Sequence, residues 1–376
     1  MDWNGALHGL AEVEAEAVVS LQVNLDPSTT PTPADISTRV HALLDEIRRR
    51  QPESLSHDGV QQFHRRVERV EQRLADPTDM GLPAGRRMGA VVFAWDEDRL
   101  EVFPIHQHID DRVAVGRRPA LADVAARAAR ADDLLLLVGS REEGRLIRFR
   151  DGHAEDVFND HTEAEARHHQ GGWAQMTLQH WVDNAASGHL REVVEHLQRR
   201  HAALGRPPIL VSADDSARAL IEHDLSKELQ AAVVGWVGNE HGWGVDRLIE
   251  QVDATLAELD RKTEDGLLDR WRDQQGESQE HPEDRLQYVL DQVSDGRVEW
   301  LLLPTAPDFP VLSCPDCRRL YAHPGECPLD GSWLETDDGA DAIACETLRR
   351  AGHVWELLDT DNTAIGQDGL AAILRY

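Results

Sequence analysis

Lysine is almost missing from this chain. Lys227 and Lys262 are the only two among 39 basic residues, so nearly every cation is an arginine. Against 69 carboxylates they leave a formal charge of -30. Such a surface repels polyanions at long range, because nucleic-acid affinity rests on cationic phosphate contacts and counterion release. DNA is not expected as a partner, and an RNA partner has to be met through a local patch. Cysteine is scarce as well: four in all, three of them between residues 314 and 327, which builds no disulfide framework. No apolar run is long enough to span a membrane. The apolar stretch Val18–Leu25 follows Glu12, Glu14 and Glu16, the wrong flank for a signal peptide. The expectation is a cytoplasmic protein. Aromatic residues are few, 5% of the chain, and Trp supplies ten of them.

What is present suffices for real cores. The 376 residues exceed one ordinary domain, and a hydrophobic content of 41% supports two or three. Ala17–Leu25 alternates like a strand. A Pro/Thr loop follows, and Asp35 or Ser37 is placed to cap a helix reaching Arg50. A second helix is expected over Asp58–Ala75. Met88–Trp95 and Leu100–Phe103 read as a hairpin. Arg117–Pro119 opens a predicted helix to Arg130. Leu134–Val138 and Arg145–Phe149 pair as strands, a long helix runs from about Gln175 to Arg200, and Ile209–Ser212 is a further strand. Ala217–Leu225 and Val245–Asp273 are helical, so strands alternate with helices in an α/β pattern. Arg272–Pro282 is the best linker candidate. Beyond it the pattern gives helix Glu283–Val293, strand Val298–Leu303, a cysteine insert, helix Asp341–Ala351, strand His353–Leu358 and a final helix on Leu370, Ile373 and Leu374.

The insert, residues 313–335, carries Cys314-Pro-Asp-Cys317 and then Cys327-Pro-Leu-Asp330-Gly331. The first pair has knuckle spacing. The second half would complete it if residue 330 were a cysteine. Zinc takes four tetrahedral ligands, usually Cys or His, and accepts carboxylate oxygen. Cys314, Cys317 and Cys327 supply three donors. Asp330 is the positional fourth and His323 the chemical alternative. A closed set among turn residues would hold structural Zn2+; the competing reading is three reduced thiols without metal. Cys345 sits on an apolar helix face and reads as core. His180, His189, His196 and His201 share no single ligand spacing and are expected on a helix surface. The runs Glu142-Glu143 and Asp337-Asp338 are expected as solvated faces.

One loop stands out. Arg167, His168, His169 and Gln170 lead into Gly171, Gly172, Trp173, Ala174 and Gln175, ahead of the long helix. Paired glycines let a backbone approach closely in conformations closed to other residues. A backbone N–H or a glutamine amide can orient water or donate to an oxyanion. Trp173 offers a face for base stacking. From Glu163 to Arg206 five arginines balance five carboxylates, among six histidines, so this is the least RNA-repelling part of the acidic chain.

The loop resembles the GGQ loop with which the archaeal and eukaryotic class-1 release factor superfamily reaches the peptidyl-transferase centre. Here the glutamine is displaced to Gln175, and Trp173 stands in its place. Gly369–Tyr376 reads GLAAILRY, similar to the GIAAILRY that closes archaeal release factors. The cysteine insert sits where those factors carry a small zinc ribbon. Val18–Pro27 through Leu43–Ile47 resembles the start of bacterial relatives. The chain is therefore identified as a suspected bacterial member of the release factor–Pelota superfamily.

That resemblance implies three α/β domains: an N-terminal one over 1–115, a central RNase-H-like one over 116–275 carrying the loop, and a C-terminal Pelota-type one over 282–376 with a zinc-ribbon-like insert. It implies a tRNA mimic in the ribosomal A site, touching rRNA and a tRNA end through Trp173, Arg167, His168 and His169, with a translational GTPase as a further partner. No Asn-Ile-Lys-Ser-like codon-reading motif stands in the N-terminal region, so rescue or hibernation of stalled or idle ribosomes is the leading function. Peptidyl-tRNA hydrolysis through Gly171, Gly172 and Gln175 is the enzymatic alternative. A non-ribosomal acidic interaction protein, its glycine loop only a turn, is the third.

Overall fold

The computed structural model describes residues 3–26, 28–74, 89–96, 98–105, 109–131, 133–140, 143–150, 153–161, 188, 190–238, 245–277, 285–305, 309–358, 365 and 370–375. They form two units, Met1–Arg130 together with Arg261–Tyr376, and Ala131–Asp260.

The first unit begins with helix α1 (Trp3–Ala11), strand β1 (Val18–Asn24), helices α2 (Pro33–Arg49) and α3 (His57–Leu74), strands β2 (Gly89–Ala94), β3 (Leu100–Ile105) and β4 (Arg112–Gly116), and helix α4 (Ala122–Ala128). The strands form an antiparallel sheet in the order β3-β2-β1-β4. Strand side chains alternate between faces. Val19, Leu21 and Val23 of β1 meet Leu44 and Ile47 of α2 and Phe63 and Val67 of α3 in one core. On the other face Ser20 accepts from the Ala120 N–H at 2.9 Å, and Gln22 donates to Asp123 at 3.0 Å. The observed cap of α2 is Thr32, in a capping box with Asp35, and not Asp35 or Ser37 itself. The helix expected from Arg117 starts only at Ala122. The Arg117 carbonyl accepts from the Ala15 N–H, and the Ala120 N–H is taken by Ser20, so tertiary bonds replace a first helical turn.

The second unit holds strands β5 (Asp133–Gly139), β6 (Glu143–Arg150) and β7 (His153–His161), a helix α5 over 190–200, strand β8 (Ile209–Ala213), helices α6 (Asp215–Asp224) and α7 (Lys227–Ala232), and strand β9 (Val233–Gly238). Helix α8 (Val245–Glu277) starts in this unit. The sheet runs β7-β6-β5-β8-β9. Strand β6 is antiparallel to both its neighbours, while β5, β8 and β9 are mutually parallel. That order and polarity is the RNase-H-like arrangement expected of the central domain. Leu135, Leu137 and Val211 pack with Val193 and Leu197 of α5 on one face. Leu134, Leu136 and Leu210 pack with Val252 of α8 on the other. His201, expected on a helix surface, is 4% exposed and donates to the Pro207 carbonyl at 2.9 Å. His196 is half-buried and stacks on Phe158 at 4.6 Å. His180 and His189 lie outside the described residues.

The rest of the first unit follows: helix α9 (Arg285–Ser294), strands β10 (Val298–Leu303), β11 (Val311–Ser313), β12 (Leu320–Tyr321) and β13 (Glu335–Asp337), helix α10 (Gly339–Arg349), and strands β14 (His353–Glu356) and β15 (Ala371–Leu374). The C-terminal sheet is β14-β10-β15, with β10 parallel to β14 and antiparallel to β15. The expected final helix is thus a strand. Ala371 and Ile373 face one core, and Leu370 and Ala372 face another. Burial on both faces leaves no two-residue alternation to read. The expected linker is helical up to Glu277. Of the expected solvated run, Asp337 pairs with Arg118 at 3.3 Å, while Asp338 is exposed at the N-cap position of α10, where its side chain makes no cap bond.

Candidate metal centre

Two tight turns from different parts of the insert converge beside the small antiparallel sheet β12-β11-β13. They share one backbone pattern. In the first, the Cys314 N–H donates to the Arg319 carbonyl at 2.9 Å and the Arg318 N–H returns to the Cys314 carbonyl at 3.0 Å. In the second, the Cys327 N–H donates to the Ser332 carbonyl at 2.8 Å and the Gly331 N–H to the Cys327 carbonyl at 2.8 Å. Each turn needs a left-handed residue just after its second donor. Gly331 fills that place at φ 79° and Arg318 at φ 62°. A non-glycine residue there is strained unless its surroundings hold it. Arg318 is held by Glu14 at 2.7 Å.

The turns bring together the four residues that sequence spacing singled out. One donor atom from each of Cys314, Cys317, Cys327 and Asp330 lies within 4.8 Å of every other, a set able to hold a metal ion. His323 is not in this group, whose fourth donor atom belongs to Asp330. The Cys314 thiol donates to the Asp330 carboxylate at 3.3 and 3.5 Å, and the Cys317 and Cys327 sulfurs stand 3.5 Å apart. Cys314 and Cys327 are buried, Cys317 is half-buried and Asp330 is exposed.

Local hydrogen bonds favour ionisation at two of the four donors, Asp330 and Cys327. The Ser332 N–H, with the Cys314 thiol, lowers the Asp330 carboxyl to about 2. Burial opposes ionisation of Cys327, but the Tyr321 hydroxyl at 3.3 Å and the Leu329 and Asp330 N–H groups bring its pKa below the ordinary thiol value. Burial, with hydrogen bonds to its neighbours, pushes Cys317 up to about 12. The two thiols in contact are therefore shifted in opposite directions, as expected for a coupled pair. A cation would displace the protons from all three sulfurs. Four protein donors leave no open position, which suits a structural rather than a catalytic centre. Tyr321 has no place in the cysteine spacing and was not legible there. Cys345 is buried in the core, its thiol against the Pro119 carbonyl at 3.2 Å, as its helix face implied.

Gly171, Gly172, Trp173 and Gln175, with Arg167, His168 and His169, lie outside the described residues.

Residues 119–256 match the sequence profile of the bacterial archaeo-eukaryotic release factor family 10. No curated protein matches the sequence. Among solved structures, Pelota from Archaeoglobus fulgidus is similar at 12% identity, covering 77% of this chain and 79% of that one with a TM-score of 0.36. Dom34 from S. cerevisiae is similar at 11% identity, covering 77% and 79%, with a TM-score of 0.38. The archaeal translation termination factor aRF1 is similar at 13% identity, covering 100% and 97%, with a TM-score of 0.27. Scores this low carry no argument by themselves, and the weight rests on the family match. The matched segment includes α4, the strands of the five-stranded sheet and the Gly171–Gly172 pair, and over that segment the chain is similar to the bacterial archaeo-eukaryotic release factor family 10.

Proposed function

We propose that the protein is a cytoplasmic, ribosome-associated factor that occupies the A site as a tRNA mimic and serves rescue or hibernation of stalled or idle ribosomes. The observation that carries this reading is the release-factor family match over 119–256, which contains the Gly171–Gly172 pair. An acidic chain of charge -30 needs a local contact to approach RNA, and the charge-balanced stretch 163–206 is the place for it. A translational GTPase is the second partner in this reading. Hydrolysis is secondary, because Trp173 stands where the family glutamine belongs.

The Cys314, Cys317, Cys327 and Asp330 set is assigned to Zn2+ in a structural role, supported by three soft thiolate donors with one carboxylate in a closed arrangement.

The test of function is co-sedimentation. The purified protein should pellet with ribosomes from starved cells, and rising salt should release it. Protein left in the supernatant with ribosomes from both starved and growing cells would overturn the proposal in favour of a non-ribosomal acidic interaction protein.

A further inference from the structure

We propose that Cys317 and Cys327 are an oxidisable pair, a modification site at which peroxide forms a disulfide across the two turns of the insert and expels the bound metal. The inference rests on the metal assigned to this set and does not depend on action at the ribosome.

Three observations point to this pair. The Cys317 and Cys327 sulfurs are already 3.5 Å apart, so side-chain rotation has only to bring them to the disulfide distance of about 2.05 Å. Cys314, the other candidate partner, is buried with its sulfur on the Asp330 carboxylate at 3.3 Å. Access also differs, since Cys317 is half-buried while Cys314 and Cys327 are buried, and oxidation follows exposure. With a cation bound both sulfurs are thiolates, so access decides between them: Cys317 is where an oxidant arrives and Cys327 is the sulfur that resolves it. The fourth donor is a hard, exposed carboxylate and not a fourth thiolate, which leaves the soft ion less firmly held against such competition.

The chemistry balances. Peroxide oxidises Cys317 to a sulfenic acid, releasing one water. The Cys327 sulfur attacks that sulfur, the S–S bond forms and the hydroxyl leaves as a second water. In total two thiolates and two protons reduce one peroxide to two waters, and a divalent ion bound by those thiolates departs with its charge. Arg318 directly follows Cys317 and carries the ion pair to Glu14 at 2.7 Å, so closing the pair acts on the link between the insert and residues 12–14.

The experiment uses the full-length, metal-loaded wild type and hydrogen peroxide. Reactive thiols measured after denaturation should fall from four to two, a chromophoric chelator should report release of the ion, and peptide mapping should join the peptide of Cys317 to that of Cys327. A thiol reductant with added zinc should restore all four. In Cys327→Ser, the Cys317 sulfenic acid should persist and be trapped by dimedone. A Cys314–Cys317 cross-link, oxidation to sulfinic acid without cross-linking, or unchanged thiols after ion release would each overturn the assignment. The wild-type map decides the matter even if the variant folds poorly.

Discussion

Gln274 stands in for a neighbouring strand at the open edge of β15. Its side-chain amide donates to the Leu374 carbonyl at 2.9 Å and accepts from the Leu374 N–H at 3.0 Å, so the edge backbone is satisfied by a residue 100 positions away. Beside it, the Arg375 guanidinium donates to the Arg350 carbonyl at 2.6 Å, at the end of α10. An edge strand left open templates pairing with other chains. Gln274→Ala should therefore lower stability by about 1–3 kcal/mol, the scale of two unsatisfied backbone groups, and raise concentration-dependent association. Denaturant melts with light scattering at two concentrations check this. A melting midpoint and scattering like the wild type would show that water serves the edge equally well.

Deletion after Asp368 removes β15 itself. Ile373 is fully buried against Leu302 and Trp355. Losing one such side chain alone costs about 2–5 kcal/mol. The truncated chain should lose cooperative unfolding of the unit Met1–Arg130 with Arg261–Tyr376. Far-UV circular dichroism against temperature is the measurement, and an unchanged melting curve would refute the core role of the strand.

Asp341 predicts a pH dependence. It accepts from Arg112 at 2.6 Å and from the Ala122 N–H at 2.8 Å. Burial raises its carboxyl to about 6 against the lowering by Arg112, with Asp338 adding to the rise. A raised folded-state pKa means that the native protein holds the proton more tightly than the unfolded chain. The corresponding stability is full below the unfolded value near 4 and is lost as pH rises through about 6. General relief of acidic repulsion acts in the same direction, so the comparison must be with Asp341→Asn. The stability difference, wild type minus variant, should grow by roughly 1–3 kcal/mol from pH 7.5 to pH 4.5. Parallel profiles for the two proteins would refute it.

The metal assignment has its own test. Protein purified without chelator should carry about one zinc per chain. Cys317→Ser should lose the ion and melt at lower temperature, and chelator should do the same to the wild type. A metal-free wild type whose melting curve equals that of Cys317→Ser would make the insert a relic.

These cases show what the sequence discloses. Cys314, Cys317, Cys327 and Asp330 were legible because ligand chemistry demands particular residue types at short spacing, and both turns fit within six residues. Strands β5 and β6 were legible as an apolar run answered by alternation. Arg112 and Asp341 were not: they are 229 residues apart, and nothing local marks either as the partner of the other. The exchange of a final helix for β15 has the same origin. Leu370, Ile373 and Leu374 fit helical spacing, and only pairing with β10 selects the strand. Thr32 escaped notice as a cap because Asp35, its capping-box partner, carries the stronger signal by itself. Strand β7 (HAEDVFNDH) is too polar to announce itself, and its ladder with β6 forms it.

The glycine loop supplies the last prediction. Gly171 and Gly172 give close backbone approach, Trp173 offers a stacking face, and Gln175 is the nearby group resembling the water-positioning amide of the family. If the protein hydrolyses peptidyl-tRNA, Gln175→Ala should cost roughly 10²–10³ in rate, the scale of one preorganised donor, while ribosome binding persists. If it holds idle ribosomes without hydrolysis, Gln175→Ala should be silent and Trp173→Ala should weaken binding by about 1–3 kcal/mol through lost stacking. The second outcome is expected, because the glutamine has left its family position and the stretch 163–206 carries no net positive charge. Release of a model peptidyl-tRNA and ribosome pelleting, run on wild type and both variants, separate the two. Pelleting left intact by Gly172→Val, with no hydrolysis by the wild type, would reduce the loop to an ordinary turn, since a Cβ at that position blocks the close approach the glycine pair provides.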